Sequence, residues 1–250
     1  MATPTRLTRT LIRSSLRPLS KPITARHYRA HDSPPPAPFT PAESAILSAA
    51  LSHVPANGFT STALRLGARD AGYLDASTNL FPRGAFDLVN YHLVTQRLAL
   101  KDAVQFPAGE RIGVGKKVRT LALARLRANE EVGVVGRWGE ALALMVQPTL
   151  VPASLAELAR LADEMWFLAG DTAVDSSWYT KRASLATVYS ATEVFMTQDQ
   201  SAGFKDTERF LDARLEDVMR VGGFLGGVGE WVGYTGHSVV NVLRSKGVRI

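Results

Sequence analysis

The side chains able to carry chemistry are few and scattered. The chain has no cysteine, which removes thiolate nucleophiles, disulfides and Cys-based metal sites together. Of its five histidines, His27 and His31 lie in the leader region, and His53, His92 and His237 are far apart. None of these last three stands in the His-x-x-x-His or Glu-x-x-His spacing that sets metal ligands on one helix face. No serine occupies a Gly-x-Ser-x-Gly elbow. Gly113-Val114-Gly115-Lys116 lacks the spacing of a phosphate-binding loop and reads as a loop before a helix. The local chemistry points away from an enzyme, with no catalytic residue, metal or cofactor expected.

What remains is the chemistry of interfaces. Trp166, Phe167, Trp178 and Tyr179 fall within one short stretch, interleaved with Asp163, Glu164, Asp171 and Asp175. Aromatic anchors with a charged rim are what protein interfaces use. For Met165 and Trp166 a core position competes with a surface one. Trp178 and Tyr179, at a helix start beside polar residues, read as an exposed patch.

Charge separates the elements that carry these residues. The net charge of +6 comes from 29 Lys and Arg against 23 Asp and Glu. Residues 1–31 hold seven cations and no acid, leaving 22 cations against 23 acids in the rest, a net of −1. An Arg- and Ser/Thr-rich, acid-free start with Leu7, Leu11, Ile12 and Leu16 between the cations reads as a mitochondrial targeting segment. It lacks the ~7–15-residue apolar stretch of a secretory signal. The near-neutral remainder argues against nucleic-acid binding.

Residues 32–41 carry Pro34, Pro35, Pro36, Pro38 and Pro41 and read as an extended linker. Beyond it the apolar spacing is helical throughout. An amphipathic helix from Ala45 ends before Pro55. A second, capped by Thr60 or Ser61, is ended by Gly72. A short third runs from Asp75 or Ser77 to Phe81, and a longer one from Gly84 past Leu100. Further helices are expected at Lys116–Asn129, at Glu131–Val146, after a Ser154–Glu157 capping box, at Trp178–Met196 capped from Asp175 to Ser177, and at Phe210–Val221 capped by Asp206. No window alternates as a strand does, so the fold class is all-α, with about nine or ten helices and no repeat.

The first three helices have the lengths and Gly-marked turn of a helix-turn-helix, and Ile46–Val54, Gly58-Phe59-Thr60 and the Leu64 helix resemble the N-terminal domain of TetR-type regulators. Operator binding needs base- or phosphate-reading side chains in the third helix. Asp75–Phe81 has one acid and no cation, with only Arg65, Arg69 and Arg83 flanking it. A DNA-binding regulator is therefore the alternative reading and not the favoured one.

Residues from Asp163 onward carry a more specific resemblance. Asp163-Glu-Met-Trp-Phe-Leu-Ala-Gly-Asp171, Asp175-Ser-Ser-Trp-Tyr-Thr-Lys-Arg182, Thr192-Glu193, Gln198-Asp199 and Phe204–Leu211, with His53-Val-Pro and Gly58-Phe-Thr, resemble the mitochondrial lipid-binding accessory proteins of ubiquinone (coenzyme Q) biosynthesis. The resemblance spans about residues 42–221. It implies a TetR-like helical bundle, a homodimer, no nucleic acid, and a hydrophobic cavity for an isoprenoid quinone lipid. It also implies presentation of that lipid to the di-iron demethoxyubiquinone hydroxylase, from a peripheral position on the matrix side of the mitochondrial inner membrane. Carried over by position, the hydroxylase-facing patch falls on Asp163, Met165, Asp175, Trp178 and Tyr179. Apolar stripes at helical spacing are ordinarily core; with the resemblance, Leu142, Met145, Leu168, Leu185 and Tyr189 are the candidates to line the cavity. A soluble helical scaffold acting by protein contacts alone is the other alternative.

The segment 222–250 is read as an amphipathic, membrane-associating tail. Phe224, Leu225, Val228, Trp231, Val232, Val239 and Leu243 fall on one helical face. Seven glycines lie in 222–236, each costing roughly 0.8–1 kcal/mol against Ala in a helix. A membrane interface offsets that cost by burying the apolar face. Glu230 within the segment, and Arg220 and Arg244 around it, argue against spanning. Close helix packing in a dimer or core is the competing use of the small residues.

Overall fold

The computed structural model describes residues 37–107, 112–171 and 177–224. Among them there is no strand, and the all-α class holds. The helices are α1 (Pro41–Asn57), α2 (Ser61–Asp70), α3 (Ala85–Ala103), α4 (Val114–Glu131), α5 (Trp138–Met145), α6 (Val151–Leu168), α7 (Ser177–Met196) and α8 (Lys205–Phe224), with 3₁₀ turns at Asp75–Leu80, Val135–Arg137 and Ala202–Phe204. No helix among the described residues is long and apolar enough to cross a membrane. The targeting segment 1–31 and the tail residues Leu225, Val228, Trp231, Val232, Val239 and Leu243 lie outside the described residues, as does the side chain of Phe224.

Local signals account for most boundaries. Thr40 caps α1 in a capping box: the Glu43 amide donates to Thr40 Oγ1 at 3.3 Å and the Thr40 amide to Glu43 Oε2 at 2.8 Å. Thr60 caps α2 through the Ala63 amide. Four expected boundaries are corrected. Helix α1 runs through Pro55, because the proline sits in the last turn and the Gly58 amide still closes on the Val54 carbonyl at 2.8 Å. The expected helix Glu131–Val146 is broken at Gly133, whose φ of +75° ends α4 before α5 begins. Helix α6 begins at Val151 with Pro152 in its first turn, where a missing N–H costs nothing. Ser154 is thus inside the helix, its hydroxyl donating to the Leu150 carbonyl, and forms no capping box with Glu157. Asp206 lies in the first turn of α8, paired with Arg209, and does not precede the helix.

The expected recognition helix is a six-residue 3₁₀ turn, Asp75–Leu80, without a buried residue. Its three flanking arginines are engaged: Arg65 with Thr62, Arg69 in a two-point pair with Asp75, and Arg83 with Asp87. Helices α1 and α2 are in backbone contact through Gly67, where a Cβ would stand 2.4 Å from the Ala50 nitrogen.

Two apolar cores result. One joins α1, α2, α3 and α5 around Ile46, Val54, Leu64, Leu88 and Trp138. The other joins α4, α6, α7 and α8 around Leu121, Leu126, Met165, Val188 and Leu211. Helix α3 serves both, with Leu88 and Val89 in the first and Leu100 in the second; α7 does likewise with Val194 and Val188.

Candidate functional site: an exposed aromatic groove and two apolar cavities

Helices α6 and α7 hold a surface groove of about 450 Å³ lined by Leu155, Leu158, Asp163, Trp178, Tyr179 and Arg182, among others. Arg182 organises it. Its Nε donates to Asp163 Oδ1 at 2.6 Å, its Nη1 donates to the Trp178 carbonyl at 3.3 Å, and its guanidinium lies 3.8 Å from the Trp178 ring centroid. Tyr179 packs edge-on against Trp178 at 4.7 Å and is 75% exposed. Leu155 and Phe167 are also exposed large apolar side chains on α6. An apolar floor, a tyrosine tip and a paired charge at the rim match the composition of protein-binding patches.

Three of the five residues expected on this patch, Asp163, Trp178 and Tyr179, meet here. Asp175 lies outside the described residues. Met165 is corrected: it is fully buried in the second core. Two residues beyond Asp163, it falls on the opposite face of α6, as helical geometry requires.

The expected cavity residues divide between two spaces. Leu142, Met145 and Tyr189 line one of about 240 Å³ between α3, α5, α6 and α7. Leu185 lines another of about 850 Å³ between α4, α6, α7 and α8, with Val118, Trp166, Val188, Leu215 and Met219. Leu168 lines neither and packs against the second core. Across α4 and α8, Arg119 bonds Asp212 and Glu208, and Arg127 stands near Glu208. On the α6–α7 side Lys181 bonds Asp171, its ammonium lies 5.7 Å from the Trp166 ring centroid, and Trp166 donates to the Lys181 carbonyl at 3.1 Å.

Sequence reasoning missed a buried polar cluster beside the smaller cavity. Arg125, Asn129 and His92 are fully buried, with Tyr189 and Glu193 nearly so. The signal was present in the period: Arg125 and Asn129 follow Val118, Leu121 and Ala122 on the buried face of α4. Burial, reinforced by the Arg125 charge, depresses His92 to about 3, so the ring is neutral. Burial raises both the Glu193 carboxyl and the Tyr189 phenol. Among the described residues no group of three or more His, Asp or Glu side chains is arranged to hold a metal ion.

The COQ9 family profile matches residues 151–222, which contain the groove and most of the large cavity's wall. The ubiquinone biosynthesis protein coq9, mitochondrial, of Schizosaccharomyces pombe is 36% identical over 203 residues, covering 81% of this chain and 80% of that protein. The COQ9 protein of Homo sapiens is 37% identical over 185 residues, 71% of this chain and 57% of its own length. That of Xenopus laevis, form B, is 34% identical over 213 residues, 82% of this chain and 70% of the relative. Identity on this scale, running across most of the chain, places it in the COQ9 family of mitochondrial ubiquinone biosynthesis proteins.

Proposed function

We propose that the protein is a non-catalytic accessory of ubiquinone biosynthesis, which takes up an isoprenoid quinone intermediate at the matrix face of the inner membrane and presents it to the di-iron demethoxyubiquinone hydroxylase. The observation that carries the lipid-binding part is the cavity of about 850 Å³ walled by Val118, Leu185, Val188, Leu215 and Met219. It falls within the ~300–1,000 Å³ range of ligand pockets lined mainly by apolar side chains. The groove of Asp163, Trp178, Tyr179 and Arg182 supplies the docking surface for the hydroxylase. The relatives' names support the pathway. The tail 222–250 anchors the protein to the bilayer by its apolar face, and two copies pair as a homodimer. In this mechanism no bond is made or broken: burial of the apolar ligand offsets its removal from the membrane. The turn that would read the groove, Asp75–Leu80, carries one acid and no cation, which disfavours the DNA-binding alternative.

The test is liposome co-sedimentation of the mature chain with and without residues 222–250, with lipid extracted from the same samples. The expected result is tail-dependent membrane binding and recovery of a quinone or isoprenoid. Recovery of protein free of both membrane and lipid would leave only a scaffold acting by protein contacts.

A further inference from the structure

Arg125 is buried at 0% exposure on α4. A guanidinium is permanently charged and has five N–H donors. One of its donors is used: Nη1 bonds Asn129 Oδ1 at 2.7 Å. Nε and Nη2 have no partner among the described residues. The same Asn129 oxygen accepts from His92 Nε2 at 2.8 Å. On α7, one turn apart, the Tyr189 hydroxyl donates to Glu193 Oε1 at 3.1 Å. Packing alone gives no reason for this cluster, because apolar side chains of similar volume serve a core at least as well as a buried charge.

Tyr189 and Glu193 differ from the rest of the cluster in one respect: both also line the cavity of about 240 Å³. Elsewhere its wall is Leu93, Leu142, Met145, Val194 and their neighbours, with Ser154, Ser190 and Glu157 the other polar members. Glu157 is taken up by Arg97 at 2.6 Å and Arg160 at 3.2 Å. The cavity is thus mainly apolar, with Tyr189 and Glu193 the polar end contributed by α7, under the influence of the buried Arg125 charge. Its volume lies below the ~300–1,000 Å³ that encloses a drug-sized ligand, enough for a substituted ring and too little for a long hydrocarbon chain.

We propose that this polar end is a head-group site, taking an uncharged six-membered ring with a carbonyl or hydroxyl oxygen against Tyr189 and Glu193. The proposal rests on the lipid-binding reading above only for the kind of ligand; it goes beyond that reading by assigning the ring to the smaller cavity, whose lining is distinct from that of the larger one. Glu193, when protonated, donates to a ring carbonyl; as a carboxylate it accepts from a ring hydroxyl, and the Tyr189 oxygen, whose own proton goes to Glu193, accepts from a second ring hydroxyl. Burial raises the Glu193 carboxyl, and the Arg125 charge opposes the rise.

The test uses the full chain and two probes, a benzoquinone carrying two isoprene units and the ringless hydrocarbon squalene. Equilibrium binding is compared for the parent protein, Tyr189→Phe and Leu142→Phe. Tyr189→Phe removes only the hydroxyl; Leu142→Phe fills the cavity without touching the polar cluster. The expected result is a five- to tenfold loss of quinone affinity in each variant with squalene binding unchanged. Unchanged quinone affinity in both variants, with both probes still bound by the parent, overturns the head-group site and leaves lipid binding standing. Equal loss of both probes in Tyr189→Phe assigns the hydroxyl a structural role and overturns the site as well. A parent protein that binds neither probe overturns the lipid-binding reading itself.

Discussion

His92 shows how one residue's surroundings set a measurable property of the whole protein. Burial and the Arg125 charge hold its folded-state value at about 3, against the ordinary 6.5. The unfolded chain therefore binds a proton that the folded chain refuses. The stability this contributes is complete above about pH 6.5 and is lost as pH falls from there toward 3. Between pH 7 and pH 5 the loss comes to about 2 kcal/mol. Urea unfolding of the parent and of His92→Gln at both pH values checks it: the amide still donates to Asn129 Oδ1 but does not titrate, so that share of the pH dependence disappears. The His92 position on α3 was legible in the sequence, and its neutrality was not. Neutrality comes first from the packing that buries the ring, and is reinforced by Arg125, 33 residues away on another helix. The same limit applies to Arg125: its place in the apolar register of α4 was readable, whereas the guanidinium's burial depends on what packs over that face.

At the scale of elements, close approach and exposure make separate predictions. Gly67 permits α2 to lie against the α1 backbone, and a Cβ there would stand 2.4–2.5 Å from Ala50 atoms. Gly67→Ala is expected to destabilise by about 3 kcal/mol, near the upper end of overpacking costs, measured by chemical denaturation. The Gly58 turn is pinned differently. The Phe59 amide donates to Glu140 Oε2 at 3.1 Å, and Arg137 braces Glu140 at 3.0 Å, so α5 holds the α1–α2 corner. The α6–α7 groove predicts the opposite signature. Tyr179→Ala and Asp163→Lys change a side chain that is largely solvent-exposed. If the groove has the docking role proposed for it, they are expected to weaken binding of the hydroxylase about tenfold or more with melting temperature unchanged within a few degrees. Pull-down titration beside a thermal melt separates a docking role from a structural one. Helix existence was readable here because 3.6-residue periodicity is a local property. The groove's architecture was not: the Asp163–Arg182–Trp178 arrangement needs two helices at a definite separation. The boundaries misplaced at Pro55 and Ser154 are cases where one local signal was read and another prevailed: a proline in the last turn still lets α1 close at Gly58, and Pro152 in the first turn starts α6 ahead of Ser154.

For the molecule as a whole, the two cores share helices. Because α3 and α7 each contribute side chains to both, neither core can lose its packing without exposing part of the other. One cooperative transition is expected, with far-UV circular dichroism and tryptophan fluorescence coincident. Trp138 reports on the first core and Trp166 on the second, so single-tryptophan variants check it directly; separated midpoints would contradict the shared-helix argument. What the sequence by itself determined was the helical class, the near-neutral charge of the chain beyond residue 31, and the family, through the Asp163–Arg182 block. Each is a matter of composition, local period or residue order, and none requires knowing which helix meets which. Only the tertiary structure decided that Met165 turns inward while Asp163 and Tyr179 stay outside. It alone divided the expected lining residues between two cavities and gathered His92, Arg125, Asn129, Tyr189 and Glu193 into one buried cluster. Those outcomes depend on which face of each helix is covered, and that is set by contacts between segments tens to a hundred residues apart.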